Sequence, residues 1–588
     1  MKNDKKKKKL QLLRHSTAHI LATAVLKFFP EAKFAIGPSI ENGFYYDFEL
    51  PRPLIPEDLP LLEAEMKKII KANFAFEQKL VPSQEALAKF KKLDQRFKVE
   101  LIEDLIKEKN SEVSLYKLDG FIDLCSGPHI ESSGEIDPQA FKLTTISSAY
   151  WRGDEKRESL QRIYGTVFEN KANLKKHLFE MEEAKKRDHR KLGKDLDLFC
   201  FSDLVGPGLP LYTPKGTIIK EELQKHIESV CKKYGFQKVS TPSLAKPELF
   251  EISGHAKKFG DELFHVTSEK KHDLVLKPVQ CPHQTQIYAS KNRSYKDLPI
   301  RYMESDKQYR AEKTGEVGGL SRVYAITVED GHSFCRVDQI KEEIEIMVNI
   351  IKDFYGNLGL WGNHWVSLSV RDYDHPEKYI GDTKDWDKCE SMLELISKEM
   401  KLDAKKCEGE AALYGPKLDF MFKDATGREI QIPTIQLDFA TPKKFGLFYI
   451  DETGKKVPPV MIHRAILGSY ERLLALLIEH FAGAFPSWLA PVQVALLPVS
   501  KKFNDYSQKI AEALEKAEIR IETPDANNSL GKRIAETTKL KVPYILIMGE
   551  KEEKEDTVTI RKRGQKEQET LKIAAFVKMI KKEITKKI

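Results

Sequence analysis

The sequence has little cysteine: seven in 588 residues, an odd number, with no Cys-x-x-Cys pair. That argues against a disulfide framework and points to a reducing compartment. Long hydrophobic runs are missing too. The most apolar stretch, Leu473 to Ala490, is broken by Glu479, His480 and Pro486, so it does not read as a membrane span. No secretory pattern opens the chain, because the lysines at 5 to 9 lead into a segment holding Arg14, His15 and His19. The expectation is a cytoplasmic protein with no membrane partner. No internal repeat is visible, and the lysine run is the one low-complexity segment. Nor is there a strong excess of one charge. Against 97 basic residues stand 89 acidic ones, a net charge of +8, so the surface is dense in charge and slightly cationic, which is compatible with a polyanion without proving one.

What the chain does have is length and changing texture. Its 588 residues suffice for three or four domains, each with its own core. Helical and strand-like pieces alternate through 1–169. At 170–195 the sequence becomes charged and helix-periodic, with Glu180-Met-Glu-Glu-Ala-Lys-Lys-Arg187 and little apolar surface, which predicts a connecting helix. A long region at 196–488 follows, punctuated by glycine and proline. The last part, 489–588, reads strand, helix, strand, helix, strand, from Val492-Gln-Val-Ala-Leu-Leu to Tyr544-Ile-Leu-Ile-Met548, the pattern of a small α/β domain.

Three places carry candidate chemistry. Val460-Met-Ile-His-Arg-Ala-Ile-Leu-Gly-Ser-Tyr-Glu-Arg472 runs into an apolar segment and reads as the start of a buried helix. Gly468 and Arg472, four residues apart, would then share a face, with the glycine making room for a ligand whose phosphates meet the guanidinium. Ordinary packing accounts for that pair equally well. Pro299–Met303 and Arg322–Asp330 have strand composition with glycines between them, which predicts a hairpin bringing Arg310 and Arg322 to one anion; solvated hairpin arginines are the alternative. Finally, His15 and His19 lie one helical turn apart, and Cys125 and His129 sit on a second element. By composition these four look like a zinc site.

The hairpin with Arg310 and Glu312, followed by the Gly468–Arg472 segment, resembles the second and third motifs of class II aminoacyl-tRNA synthetases. The segment around Thr241-Pro242 resembles the first, which in that family lies at a dimer interface. Lys277-Pro-Val-Gln-Cys-Pro282, Glu329-Asp-Gly-His332, Leu413-Tyr-Gly-Pro-Lys417, Ile435-Gln-Leu-Asp-Phe439 and Met461-Ile-His-Arg-Ala-Ile-Leu-Gly-Ser469 narrow the resemblance to threonyl-tRNA synthetases, of a bacterial type without the N-terminal ubiquitin-like domain. The fold implied is α+β and multidomain: an editing domain (α+β, 1–169, with the lysine-rich tail), the connecting helix (170–195), an antiparallel-sheet class II catalytic domain (196–488) and an α/β anticodon-binding domain (489–588). The activity implied is ATP-dependent attachment of L-threonine to threonine tRNA through a threonyl-adenylate, by a homodimer, with hydrolytic editing of Ser-tRNA. A synthetase-like RNA-binding paralogue and a stand-alone deacylase are the alternatives.

The resemblance also implies residue roles. Cys281, His332 and His463 match the ligands of one Zn²⁺ per chain, with an open fourth position for threonine. Asp330 is expected at the threonine hydroxyl and Tyr414 near its amino group. Arg310 is expected at the α-phosphate of ATP, Arg322 and Arg472 at the terminal phosphates with Mg²⁺, and Glu312 at the adenine amino group, with Gln436 and Ser469 completing the pocket. His15, His19, Cys125, His129 and Tyr46 match the editing pocket, which in alanyl relatives binds zinc and in threonyl ones is thought to work with water alone. Asn527, Glu552 and Arg561 are candidates for the anticodon. The chain departs from the family at Ile326, where an aromatic residue usually stacks on adenine, at Val328, where glutamine is usual, and at Gln280, His283 and Gln284 around the cysteine.

Overall fold

Among the described residues, eight strands form the sheet that organises the larger part of the chain. The computed structural model describes residues 2–587 other than Glu155, Lys271, Asn363, 424–426, Arg428 and Ala526; the side chains of 2–7, which include part of the lysine run, and of Thr314 lie outside the description. Two compact units result, Met1–Glu182 and Glu183–Ile588.

In the second unit the strand order is Gln237–Lys238, Ile300–Tyr309, Ala325–Cys335, Val460–Ser469, Glu429–Asp438, Lys417–Lys423, His364–Val370 and Lys405–Glu408. The inner pairings are antiparallel and the outermost pair at each edge is parallel. The expected hairpin is present, as Ile300–Tyr309 against Ala325–Cys335, and ends with Tyr309 opposite Ala325. Arg310 follows its first strand, and Arg322 precedes its second.

The expected helix at 460–472 is corrected. Val460–Ser469 is a strand with eight of its ten residues buried, and the helix begins only at Tyr470. A strand covered on both sides shows an unbroken apolar run, which sequence alone does not separate from a buried helix. Gly468 and Arg472 therefore do not share a helical face. Gly468 turns the chain out of the sheet at φ +68°, and a side chain there would meet Ile432 Cγ2 at 3.1 Å. Ser469 then caps the helix, its hydroxyl accepting a hydrogen bond from the Arg472 backbone N–H at 3.3 Å.

The single connecting helix is also corrected. Lys171–Arg187 and His189–Asp195 are separate helices, because Asp188 leaves helical geometry and caps the second through the Arg190 N–H. The C-terminal alternation appears as Val494–Pro498, Asn504–Glu515, Ile521–Glu522, Leu530–Lys539 and Tyr544–Met548. Their sheet is parallel across these three strands and continues antiparallel through Thr557–Lys562 and Gln568–Lys572.

The first unit pairs Lys33–Phe34, Gly43–Glu49, Ser159–Val167 and Phe141–Tyr150 in one sheet and Glu77–Pro82, Glu112–Leu118 and Phe121–Leu124 in another. The helix Lys2–Phe28 sends Ala18, Ile20, Leu21, Ala24 and Val25 into the core of this unit. Because the helix is enclosed there, His19 is carried inside with them.

Candidate functional site

Register places the chemistry of the second unit in one row. Lys417 lies opposite Gln436, Gln436 opposite His463, and His463 opposite His332, across four adjacent strands. Cross-strand partners have adjacent side chains, so residues far apart in the sequence become neighbours. Along Ala325–Cys335 the two-residue period puts Ile326, Val328 and Asp330 at the wall of one cavity, of about 500 Å³. Arg310, Glu312, Arg322, Tyr414, Gln436, Ser469, Arg472, Cys281 and His463 also line it. His332 is the one expected residue of this set behind the wall.

The guanidiniums are held rather than free. Arg310 donates from Nε and one terminal nitrogen to the Pro278 carbonyl at 3.3 Å and lies 4.9 Å over the Phe259 ring. Burial lowers its pKa, so the pocket stabilises an anion brought to it. Arg322 pairs with Glu312 at 2.6 Å and Glu316 at 2.9 Å, and Arg472 donates to the Ser321 carbonyl at 3.5 Å. Glu312 is thus already tied to Arg322. Tyr414 donates to Gln436 Oε1 at 2.7 Å and stacks on His463, with ring centroids 4.3 Å apart.

Cys281, His332 and His463 bring one ligand atom each to within 4.8 Å of one another, all three residues buried. Their partners suit a metal. His332 Nδ1 bonds Gln284 Oε1 at 2.7 Å, and its buried Nε2 has no hydrogen-bond partner, with Asp330 Oδ1 3.9 Å away. His463 Nε2 bonds Asp438 at 2.9 Å. Each imidazole therefore has one nitrogen oriented by a neighbour and the other left over, the usual arrangement of metal-ligating histidine. Burial pushes the Cys281 thiol up and the His332 imidazole far down, so the histidine stays neutral as a ligand must. Gln284, a departure from the family pattern, is the residue that orients His332.

In the first unit His15, His19, Cys125 and His129 also converge within 4.8 Å. His15 Nδ1 faces the Gly37 carbonyl at 3.3 Å, which places its proton there and leaves Nε2 toward Cys125 Sγ at 3.0 Å. His129 Nε2 approaches the same sulfur at 3.4 Å. Desolvation lowers all three histidines, His129 to about 2, and raises Cys125 to about 11. Three neutral imidazoles result. Tyr46 is fully buried, and its hydroxyl donates to Asp123 at 2.7 Å.

Sequence reasoning missed two members of this cluster. Asp123 accepts from Tyr46, lies 3.5 Å from His19 Nε2 and forms a buried ion pair with Lys98. Asp123 sits two residues before Cys125, a signal that was available. Lys98 comes from a helix, Arg96–Lys107, with no motif around it. At the C-terminus, Asn527 is exposed and bonded to Asp525, and Arg561 lies on the strand Thr557–Lys562. Both Glu552 carboxylate oxygens are engaged, by the Gly549 N–H at 2.9 Å and the Thr559 hydroxyl at 2.8 Å.

Residues 264–481 match the tRNA synthetase class II core domain (G, H, P, S and T), 493–583 an anticodon binding domain, and 113–164 the threonyl and alanyl tRNA synthetase second additional domain. The threonine–tRNA ligase of Gloeobacter violaceus is 45% identical over 586 residues, covering 98% of this chain and 93% of that protein. Threonine–tRNA ligase 1 of Bacillus subtilis is 44% identical over 570 residues, covering 97% and 88%. Among solved structures, the RNA binding domain of threonyl-tRNA synthetase from Cryptosporidium parvum superposes with a TM-score of 0.64 at 33% identity, over 67% of this chain and 98% of that one. A putative threonyl-tRNA synthetase from Aeropyrum pernix gives 0.60 at 25%, over 68% and 97%. Identity at this level along nearly the full length, joined to the matched core, editing-type and anticodon domains, means that this chain belongs to the threonyl-tRNA synthetase family.

Proposed function

We propose that this chain joins L-threonine to threonine tRNA through a threonyl-adenylate, at the expense of ATP, and that its N-terminal unit hydrolyses Ser-tRNA. The observation that carries the synthetic reading is the convergence of Arg310, Arg322 and Arg472 with Tyr414, Gln436 and Asp330 on one cavity. Catalytic, editing and anticodon roles are assigned to 196–488, 1–169 and 489–588, with 170–195 between the first two.

Adenylate formation needs alignment of a carboxylate with a phosphorus and neutralisation of the charge that develops there, with no protein nucleophile. Arg310, anchored by Pro278 and Phe259, holds the α-phosphate. Arg322 and Arg472 hold the terminal phosphates, with which Mg²⁺ travels. Glu312 accepts from the adenine amino group while retaining Arg322, and Ser469 borders the nucleotide at the helix start. Ile326 and Val328 offer the base apolar contact in place of an aromatic stack.

Cys281, His332 and His463 fit one Zn²⁺, which when bound supplies a Lewis acid for the amino and hydroxyl groups of threonine. Asp330 accepts from that hydroxyl, and Tyr414 lies beside the amino group. A site built around a hydroxyl rejects valine strongly, whereas serine differs by one methyl, worth about 1–3 kcal/mol. That gap is the reason for a second site. There the neutral imidazoles of His15, His19 and His129, with Cys125, orient water on the ester, and Tyr46 and Lys98 hold Asp123 beneath them.

Asn527 and Arg561 are the candidates for reading the anticodon, with Glu552 shaping their strand and helix. A homodimer is supported by exposed apolar side chains at Phe201, Leu204, Val205 and Leu211. No described helix is long and apolar enough to cross a membrane. The deciding experiment is threonine-dependent ATP–pyrophosphate exchange by the purified chain. Exchange with threonine and none with valine supports the assignment; no exchange with any amino acid overturns it.

A further inference from the structure

A third cluster of potential ligand atoms, Asp188, His189 and Glu479, lies outside every site described above. It is not arranged for a metal, because both nitrogens of the buried His189 ring are committed. Nδ1 bonds Glu479 Oε1 at 2.7 Å, and Nε2 accepts the Leu320 backbone N–H at 3.1 Å. A lone pair at Nε2 requires the proton at Nδ1, so the carboxylate fixes the tautomer that the Leu320 N–H needs. We propose that His189 is a positioning residue for ATP binding, holding the loop that carries Arg322 against the helix that carries Arg472.

The covalent path supports this. Glu479 lies on Tyr470–Phe481, seven residues beyond Arg472 and so on the same helical face. Leu320 lies two residues before Arg322 and is buried in the core of the second unit, next to Ser321, whose carbonyl accepts from Arg472. The turn is closed by the Gly318 N–H donating to the Arg322 carbonyl at 3.1 Å. One imidazole thus fixes the spacing between two guanidiniums assigned to the terminal phosphates. The loop comes close only because residue 319 is glycine. Its φ is +52°, and a Cβ there would stand 2.3 Å from His189 Nε2.

The inference rests on the proposed ATP site, and the test separates the two. Threonine-dependent exchange is measured for wild type, His189→Ala, His189→Gln and Gly319→Ala, with KM for ATP and for threonine determined separately. His189→Ala and Gly319→Ala should each raise KM for ATP about tenfold, the cost of a buried hydrogen bond, and leave KM for threonine within about twofold. His189→Gln, whose amide oxygen can still accept from Leu320, should recover part of the loss. Ser-tRNA hydrolysis should be unchanged in all. An inactive wild type overturns the proposed function itself. An active wild type whose Gly319→Ala and His189→Ala variants keep a normal KM for ATP, or raise both KM values equally, overturns the role of His189.

Discussion

The Asp438 carboxylate bonds His463 Nε2 at 2.9 Å, which leaves Nδ1 as the free ring nitrogen of a residue paired across the sheet with His332. Since Gln284 does the same for His332 from the other side, two imidazoles are oriented before any ion arrives. The purified chain should therefore carry one zinc, and Cys281→Ala should lower zinc content and threonine activation together. Metal analysis of both proteins is the check. Stoichiometric zinc unaffected by the substitution would show that the ligands lie elsewhere.

Arg310→Ala removes a charge donor already fixed by Pro278 and Phe259. Adenylate formation should fall by at least about a hundredfold, the scale of losing one preorganised donor. Threonine-dependent ATP–pyrophosphate exchange measures it, and a near-normal rate would take Arg310 out of the mechanism.

The cluster of His15, His19, Cys125 and His129 belongs to 1–182 and the cavity lined by Arg310 and Arg472 to 183–588, so the two should fail separately. His15→Ala/His19→Ala should abolish hydrolysis of preformed Ser-tRNA while threonine-dependent exchange persists. Equal hydrolysis by wild type and variant means that the set is structural. Loss of both activities means that it supports folding.

Acid should weaken the first unit. His129 is held near 2 by burial, with smaller contributions from His19 and His15, against an ordinary value of 6.5. The folded state thus binds this proton less readily than the unfolded one. Its stability is intact above about pH 6.5 and declines as the pH falls from there toward 2, by up to about 1.4 kcal/mol per pH unit for this one group. His15 and His19 act in the same direction. Hydrogen exchange of peptides from 1–182 at about pH 7.5 and about pH 5.5 should show lower protection at the acid value, and a smaller difference in His129→Phe. Identical protection at both pH values would contradict the burial argument.

Local pattern in the sequence determined a good deal. The hairpin around Arg310 and Arg322, the alternation from Val494 to Met548 and the helical spacing of His15 and His19 are all short-range features, and all appear in the structure. Family motifs added residues no periodicity would select, since Cys281, His332 and His463 lie far apart in the chain. Long-range packing decided the rest. Val460–Ser469 is a strand because partners on either side cover it, and an apolar run does not say by itself what will cover it. The approach of Gly319 to His189 joins segments more than a hundred residues apart. Lys98 became part of the cluster around His19 only when its helix came to rest against Asp123, because a buried charge is defined by the partner folding brings to it.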